Sequence, residues 1–188
     1  MLGSSVTRLS RSALQYEIPG IVVDASNGRS WRIRGNGGGT TLWQAYLSHR
    51  SQLRPGDWLV VENERGDVTV AENKIYIDQL VADLPEGVCL GWILPHVYYD
   101  TQGPSATAQT HQWNVDMTAL LRKEVPRVAC HALVDWNAVV DDATASTPGL
   151  SPLQQAAGAP LLYDGRHPTE LGQWVYGATI SQALAPRS

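Results

Sequence analysis

Short apolar runs and amphipathic segments alternate along this chain of 188 residues. Runs rich in β-branched and aromatic residues predict five buried strands, at 21–23, 30–34, 57–61, 88–95 and 127–136. Between and after them, apolar residues at three- and four-residue spacing predict helices that end near residue 53, at 68–84, at 105–125, and beyond residue 169. This alternation predicts a single three-layer α/β domain with a parallel five-stranded sheet.

The first 19 residues are polar and end at Pro19-Gly20. We therefore interpret 1–19 as an N-terminal extension with little structure of its own, and 20–188 as the domain. One hypothesis is that the extension docks the domain onto a larger assembly.

Composition and charge exclude several classes of function. The net charge of -4 gives no basic surface for nucleic acid. No apolar run approaches the roughly 18–20 residues that cross a bilayer. The N-terminus lacks the apolar core of a secretory signal, which predicts a cytoplasmic protein or one carried in a larger particle such as a virion.

The cysteines and histidines suggest no metal or cofactor. Cys89 and Cys130 lie in strand-like apolar segments, so we expect buried free thiols in preference to a disulfide. The histidines at 96, 111 and 131 do not show metal-ligand spacing with cysteines or carboxylates.

The candidate chemistry lies where predicted strands end. Asp164 and His167 stand three residues apart before the last helix, so the carboxylate is placed to orient the imidazole. An ordinary Asx-turn before a helix is the alternative. Ser26 ends the first predicted strand, at the sheet edge where parallel sheets bind ligands, although it is also suited to capping the next segment. A glycine-rich loop at 35–41 would let backbone approach a ligand closely.

These segments resemble the SGNH, or GDSL-like, hydrolases. Asp164-Gly165-Arg166-His167-Pro168-Thr169 is similar to the Asp-x-x-His block of that family, and Asp24-Ala25-Ser26 is similar to its Gly-Asp-Ser block at the serine alone. Gly38 best matches the second-block glycine, with Gly37 and Gly39 as alternatives. The third-block asparagine falls on Gly66, so Asn63 is the candidate if the loop is aligned differently. The interval between Ser26 and the glycine loop is short for the family, which usually has a helix there.

The resemblance implies a flavodoxin-like α/β/α sandwich and acyl chemistry without a metal or cofactor. Ser26 would be the nucleophile, His167 the base and Asp164 its orienting carboxylate, with an oxyanion hole formed by Ser26, Gly38 and Asn63. The first hypothesis is a serine esterase or acyl-transfer enzyme acting on a small or carbohydrate-borne ester. The second is a degenerate member with a binding or structural role and little turnover.

Overall fold

The computed structural model describes residues 1–36, 39–63, 68–95 and 104–185. Within these ranges a central parallel sheet is flanked by helices on both faces. In chain order the elements are β1 (Leu2–Gly3), α1 (Ser5–Leu9), α2 (Arg11–Glu17), β2 (Asp24–Ala25), α3 (Leu42–Arg50), β3 (Trp58–Val61), α4 (Val70–Asp83), β4 (Cys89–Ile93), α5 (Pro104–Glu124), a 3₁₀ turn (Val125–Arg127), β5 (His131–Val134), α6 (Trp136–Ala145), α7 (Pro152–Ala156) and α8 (Glu170–Leu184).

The sheet order is β2-β1-β3-β4-β5, and every pairing is parallel. This is the flavodoxin-like order. The predicted fold class, a three-layer α/β/α sandwich around a five-stranded parallel sheet, is confirmed.

Alternate residues of the strands fill two cores. Leu59, Val61 and Leu90 face a core that α3, α4 and α5 cover. Val60 and Ile93 face a second core, which α1, α2, α6 and α8 cover. Because side chains alternate across a pleated strand, β3, β4 and β5 each contribute to both layers, which explains their nearly continuous apolar runs.

The first 17 residues differ from the prediction of an unstructured extension. They form β1, α1 and α2, and Leu2, Val6 and Leu14 are buried in the two cores. β1 lies between β2 and β3 and pairs with both. This segment is therefore part of the sheet and of both cores.

Two further predictions about local structure are wrong. Residues 30–34 form bends and irregular structure and not a strand. Cys89 and Cys130 form a disulfide and are not free thiols. Leu90 N–H donates to Cys130 C=O at 2.9 Å, so the two cysteines face each other across neighbouring chain segments. Spacing along the sequence does not reveal this proximity.

Candidate functional site

The Asp164–His167 segment forms a tight turn in which one carboxylate accepts three hydrogen bonds. Asp164 Oδ1 accepts the backbone N–H of Arg166 at 3.1 Å and that of His167 at 2.7 Å. Asp164 Oδ2 is 2.7 Å from His167 Nδ1. Gly165 has φ +79°, a conformation that favours glycine, and so lets the turn close. The Asx-turn and the oriented imidazole are thus both present.

The other ring nitrogen of His167 contacts a serine from the opposite end of the chain. His167 Nε2 lies 2.9 Å from Ser5 Oγ. A carboxylate only accepts, so Asp164 places the ring proton on Nδ1 and leaves Nε2 to accept from the Ser5 hydroxyl. The result is a continuous hydrogen-bonded series of Asp164, His167 and Ser5.

The local electrostatics stabilise Asp164 as a carboxylate. Partial burial alone would raise the pKa of Asp164. The hydrogen bonds and charge of His167, together with the Arg166 N–H, outweigh burial and hold that pKa below its ordinary value. Asp164 is therefore ionised at neutral pH and able to stabilise an imidazolium.

The sheet topology explains why Ser5 reaches this turn. Ser5 begins α1 directly after β1, at the carboxyl edge of the central part of the sheet. His167 stands three residues before α8, which packs on the same core as α1. Thr169 caps α8 by accepting the Gly172 N–H at 3.1 Å, and a Cβ at Gly172 would lie 2.0 Å from the Leu161 carbonyl oxygen. This close approach fixes the start of α8 relative to the turn.

The structure does not pair Ser26 with His167. Ser26 follows β2, which is an edge strand separated from β3 by β1. Its N–H donates to Gly3 C=O at 3.2 Å. Its hydroxyl packs on the glycine loop, where a Cβ at Gly35 would lie 2.0 Å from Ser26 Oγ. The predicted nucleophile is thus replaced by Ser5 in the contact with His167.

Two signals in the sequence point to Ser5. Gly3-Ser4-Ser5 keeps the glycine and the serine of a Gly-Asp-Ser block, whereas Asp24-Ala25-Ser26 keeps only the serine. With Ser5 as the first block, α1 and α2 occupy the interval before the glycine loop, which is the interval that is too short when counted from Ser26. β1 has only two residues and shows no periodicity that would predict a strand.

Of the predicted oxyanion donors, Gly38 lies outside the described residues, as do Gly37 and Gly66. Asn63 is described and is 6% exposed. Trp92 Nε1–H donates to Asn63 Oδ1 at 3.1 Å, and because an indole nitrogen only donates, this contact fixes the orientation of the amide. Asn63 Nδ2 donates to Asn73 Oδ1 at 3.1 Å, which uses one of its two N–H bonds.

Asn63 lies at the same carboxyl edge of the sheet as Ser5. Leu2 and Val61 are paired in neighbouring strands, and Glu62 N–H donates to Leu2 C=O at 2.9 Å. The chain leaving β3 therefore runs beside the chain leaving β1, so Asn63 and Ser5 each follow one of two neighbouring strands.

Among the described residues, no group of three or more His, Cys, Asp or Glu side chains could hold a metal ion. No helix in the described ranges is both long and apolar enough to cross a membrane.

Comparison with solved structures finds proteins of the same fold. The catalytic domain of Streptococcus pneumoniae peptidoglycan O-acetyltransferase A, with a methylsulfonyl adduct, is 20% identical at a TM-score of 0.65, covering 97% of this chain and 89% of that one. An acetylxylan esterase from Geobacillus stearothermophilus is 12% identical at 0.59, covering 99% and 93%. An inhibitor-bound M. smegmatis aryl esterase is 14% identical at 0.59, covering 92% and 82%. No protein-family model matches the sequence, and no curated protein matches it significantly.

Proposed function

The chain has the SGNH-hydrolase fold, and from this premise we propose that it is a serine ester hydrolase or acyltransferase whose triad is Ser5, His167 and Asp164. The observation that carries the proposal is the pair of contacts on one imidazole, 2.9 Å to Ser5 Oγ and 2.7 Å to Asp164 Oδ2. A nucleophile, a base and an orienting carboxylate in hydrogen-bond contact are the arrangement that acyl transfer through a serine requires.

The proposed reaction has two halves. Ser5 Oγ attacks the acyl carbonyl while His167 Nε2 takes the hydroxyl proton, and Asp164 stabilises the imidazolium. The tetrahedral intermediate collapses when His167 returns that proton to the leaving alcohol, which leaves an acyl-Ser5 ester. Water, or an acceptor alcohol, then attacks this ester with His167 again as base, and Ser5 is restored.

For the oxyanion we propose the Ser5 backbone N–H and the second N–H of Asn63 Nδ2. The Trp92 and Asn73 contacts support Asn63 in this role, because they hold the amide rigidly with its nitrogen directed away from the indole. A donor that is already oriented needs no reorganisation when the oxyanion forms, and such a donor typically contributes about 100- to 1,000-fold in rate.

For the substrate we propose a small acyl ester borne by a carbohydrate. Two of the proteins that share the fold are named for peptidoglycan and acetylxylan. In this chain, the ring of Tyr163 stacks beside the His167 imidazole, with centroids 5.8 Å apart and planes 21° apart, and is 61% exposed. A flat, accessible aromatic ring beside the base is suited to contact the apolar face of a sugar.

Labelling with a fluorophosphonate probe tests the nucleophile. We expect covalent labelling at Ser5 that Ser5→Ala abolishes, with hydrolysis of short-chain acyl esters falling on the order of 10⁶-fold. Ser26→Ala is the matched control, since it removes the other candidate hydroxyl, and it should label normally. Labelling that persists in Ser5→Ala but is lost in Ser26→Ala would overturn the assignment. Absence of both labelling and turnover in the wild-type protein would leave the hypothesis of a degenerate, binding member.

A further inference from the structure

A buried carboxylate outside the triad lies against the turn that carries Ser5. Glu62 is only 2% exposed. It accepts the Ser4 backbone N–H at 2.7 Å, the Ser4 hydroxyl at 2.8 Å and the Thr7 hydroxyl at 3.0 Å. A carboxylate withdrawn from water is costly unless hydrogen bonds compensate it. These hydrogen bonds therefore hold Glu62, Ser4 and Thr7 in place relative to one another.

The donors lie on both sides of the nucleophile. Ser4 immediately precedes Ser5, and Thr7 follows it by two residues. Ser4 occupies the N-cap position of α1, but its side chain makes no capping hydrogen bond to the helix and instead donates to Glu62. The Thr7 side chain also packs closely on Gly3 of β1. A Cβ added at Gly3 would lie only 2.2 Å from Thr7 Oγ1. The first turn of α1 is thus held by Glu62 from the end of β3.

The same group of side chains extends to the helix that follows the base. Thr7 Oγ1 lies 3.4 Å from the hydroxyl of Tyr176, a fully buried residue of α8. α8 begins three residues after His167. The contacts from Glu62 through Thr7 to Tyr176 therefore connect the element that carries Ser5 with the element that follows His167.

We propose that Glu62 is a positioning residue for Ser5. Its carboxylate fixes the turn at Ser4 and Thr7, so that Ser5 Oγ stays at hydrogen-bond distance from His167 Nε2 without contact between Glu62 and the reacting atoms. This inference rests on the proposed function, because it assigns Glu62 a part in the same reaction. Ser4, the residue before the proposed nucleophile, has no carboxylate of its own. Its hydrogen bonds to Glu62, which directly follows β3, place a carboxylate beside it.

The test compares Glu62→Ala with Glu62→Gln. We expect Glu62→Ala to lower kcat on a short-chain acyl ester on the order of 100-fold, the loss that follows when a reacting group is displaced by about 1 Å, with KM changed less than about threefold. Glu62→Gln keeps one acceptor oxygen for the Ser4 N–H. Its new NH₂ group can donate a hydrogen bond to the oxygen of the Ser4 hydroxyl. It should therefore recover much of kcat, to within about tenfold of the wild-type protein.

A stability control separates positioning from folding. Leu80→Ala truncates a fully buried side chain of α4 in the opposite core, and such truncations cost about 2–5 kcal/mol. Rates are expressed per folded molecule, with the folded fraction taken from tryptophan fluorescence. We expect Leu80→Ala to keep the wild-type kcat. If Glu62→Ala also kept it within threefold, Glu62 would be purely structural and the proposal would be overturned.

A readout without substrate distinguishes this proposal from the proposed function. The imidazole ¹⁵N chemical shifts of His167 report the hydrogen bond from Ser5 even in an inactive protein. We expect the Nε2 shift to move in Glu62→Ala and in Ser5→Ala but not in Leu80→Ala. If wild-type protein lacked turnover and labelling yet showed this pattern, the enzymatic function would fail while the positioning role stood. An unchanged Nε2 shift in Glu62→Ala would overturn the positioning role.

Discussion

If Ser5, His167 and Asp164 act as the proposed triad, replacing Asp164 with asparagine should remove nearly all activity while leaving the fold in place. The structure determines how the new amide must sit. Two backbone N–H groups, from Arg166 and His167, point at Oδ1, whereas a single ring N–H points at Oδ2. The asparagine oxygen satisfies two donors if it replaces Oδ1, and its NH₂ group then faces His167 Nδ1.

This orientation forces the wrong tautomer on the base. An NH₂ group only donates, so His167 Nδ1 must accept, and the ring proton moves to Nε2. Nε2 then has no lone pair with which to take the Ser5 proton. A comparable substitution in a Ser-His-Asp triad lowers kcat about 10⁴-fold, which corresponds to roughly 5.5 kcal/mol of transition-state stabilisation. Folding should suffer much less, on the order of 1 kcal/mol, because both backbone donors keep their acceptor.

The assay pairs steady-state hydrolysis of an acyl ester with urea unfolding of the same preparations. Asp135→Asn is the matched control, since Asp135 also accepts a backbone N–H, from Ala138 at 3.2 Å, but at the N-terminus of α6. We expect its kcat to match the wild-type value. A loss below tenfold in Asp164→Asn, or an equal loss in Asp135→Asn, would refute the reasoning about the tautomer.

Three further predictions concern the pH dependence of stability, the disulfide and Tyr163. Because the folded pKa of Asp164 is lowered, its ionised form adds stability above its ordinary pKa of 3.8 that is lost as the pH falls below that value. The difference in unfolding free energy between wild-type protein and Asp164→Asn should therefore shrink below about pH 4, and a constant difference from pH 2 to 6 would contradict this. The Cys89–Cys130 disulfide closes a loop with a sequence separation of 41 and so limits the entropy of the unfolded chain. Its reduction should lower the free energy of unfolding by about 4 kcal/mol. A change below about 1 kcal/mol in urea titrations would be inconsistent with this argument from loop entropy. Tyr163→Ala should raise KM for an acetylated oligosaccharide about tenfold and leave KM for an aryl acetate nearly unchanged. Tyr163→Phe keeps the ring and should behave as wild type. Equal effects of Tyr163→Ala on both substrates would argue against a sugar contact.

The sequence predicts the architecture well because the signal for it is spread over long segments. β3, β4 and β5, and the helices α3, α4, α5 and α8, are confirmed near their predicted positions. These elements are long enough for their apolar residues to repeat with a recognisable period, so single exceptions do not hide the pattern. By contrast, β1 and β2 have two residues each, which is too short for a period to be visible.

The candidate site shows the same division between contacts that are local in the sequence and contacts between distant residues. The Asp164–His167 contact is local, since three residues and a glycine turn determine it, and the structure forms it as the sequence suggests. The serine partner depends on which strand is central. The sequence predicts that Ser26 follows the first strand, but strand order makes Ser5 the residue beside His167. The sequence does not predict the disulfide for the same reason, because parallel neighbours in a sheet are distant in the chain.

Ser5 and His167 lie 162 residues apart in the sequence. During translation Ser5 therefore leaves the ribosome long before His167 is made. The hydrogen bond between these two side chains can form only after the turn at Asp164–His167 has been synthesised and has docked beside α1. Formation of this contact therefore reports that the two distant parts of the chain have come together.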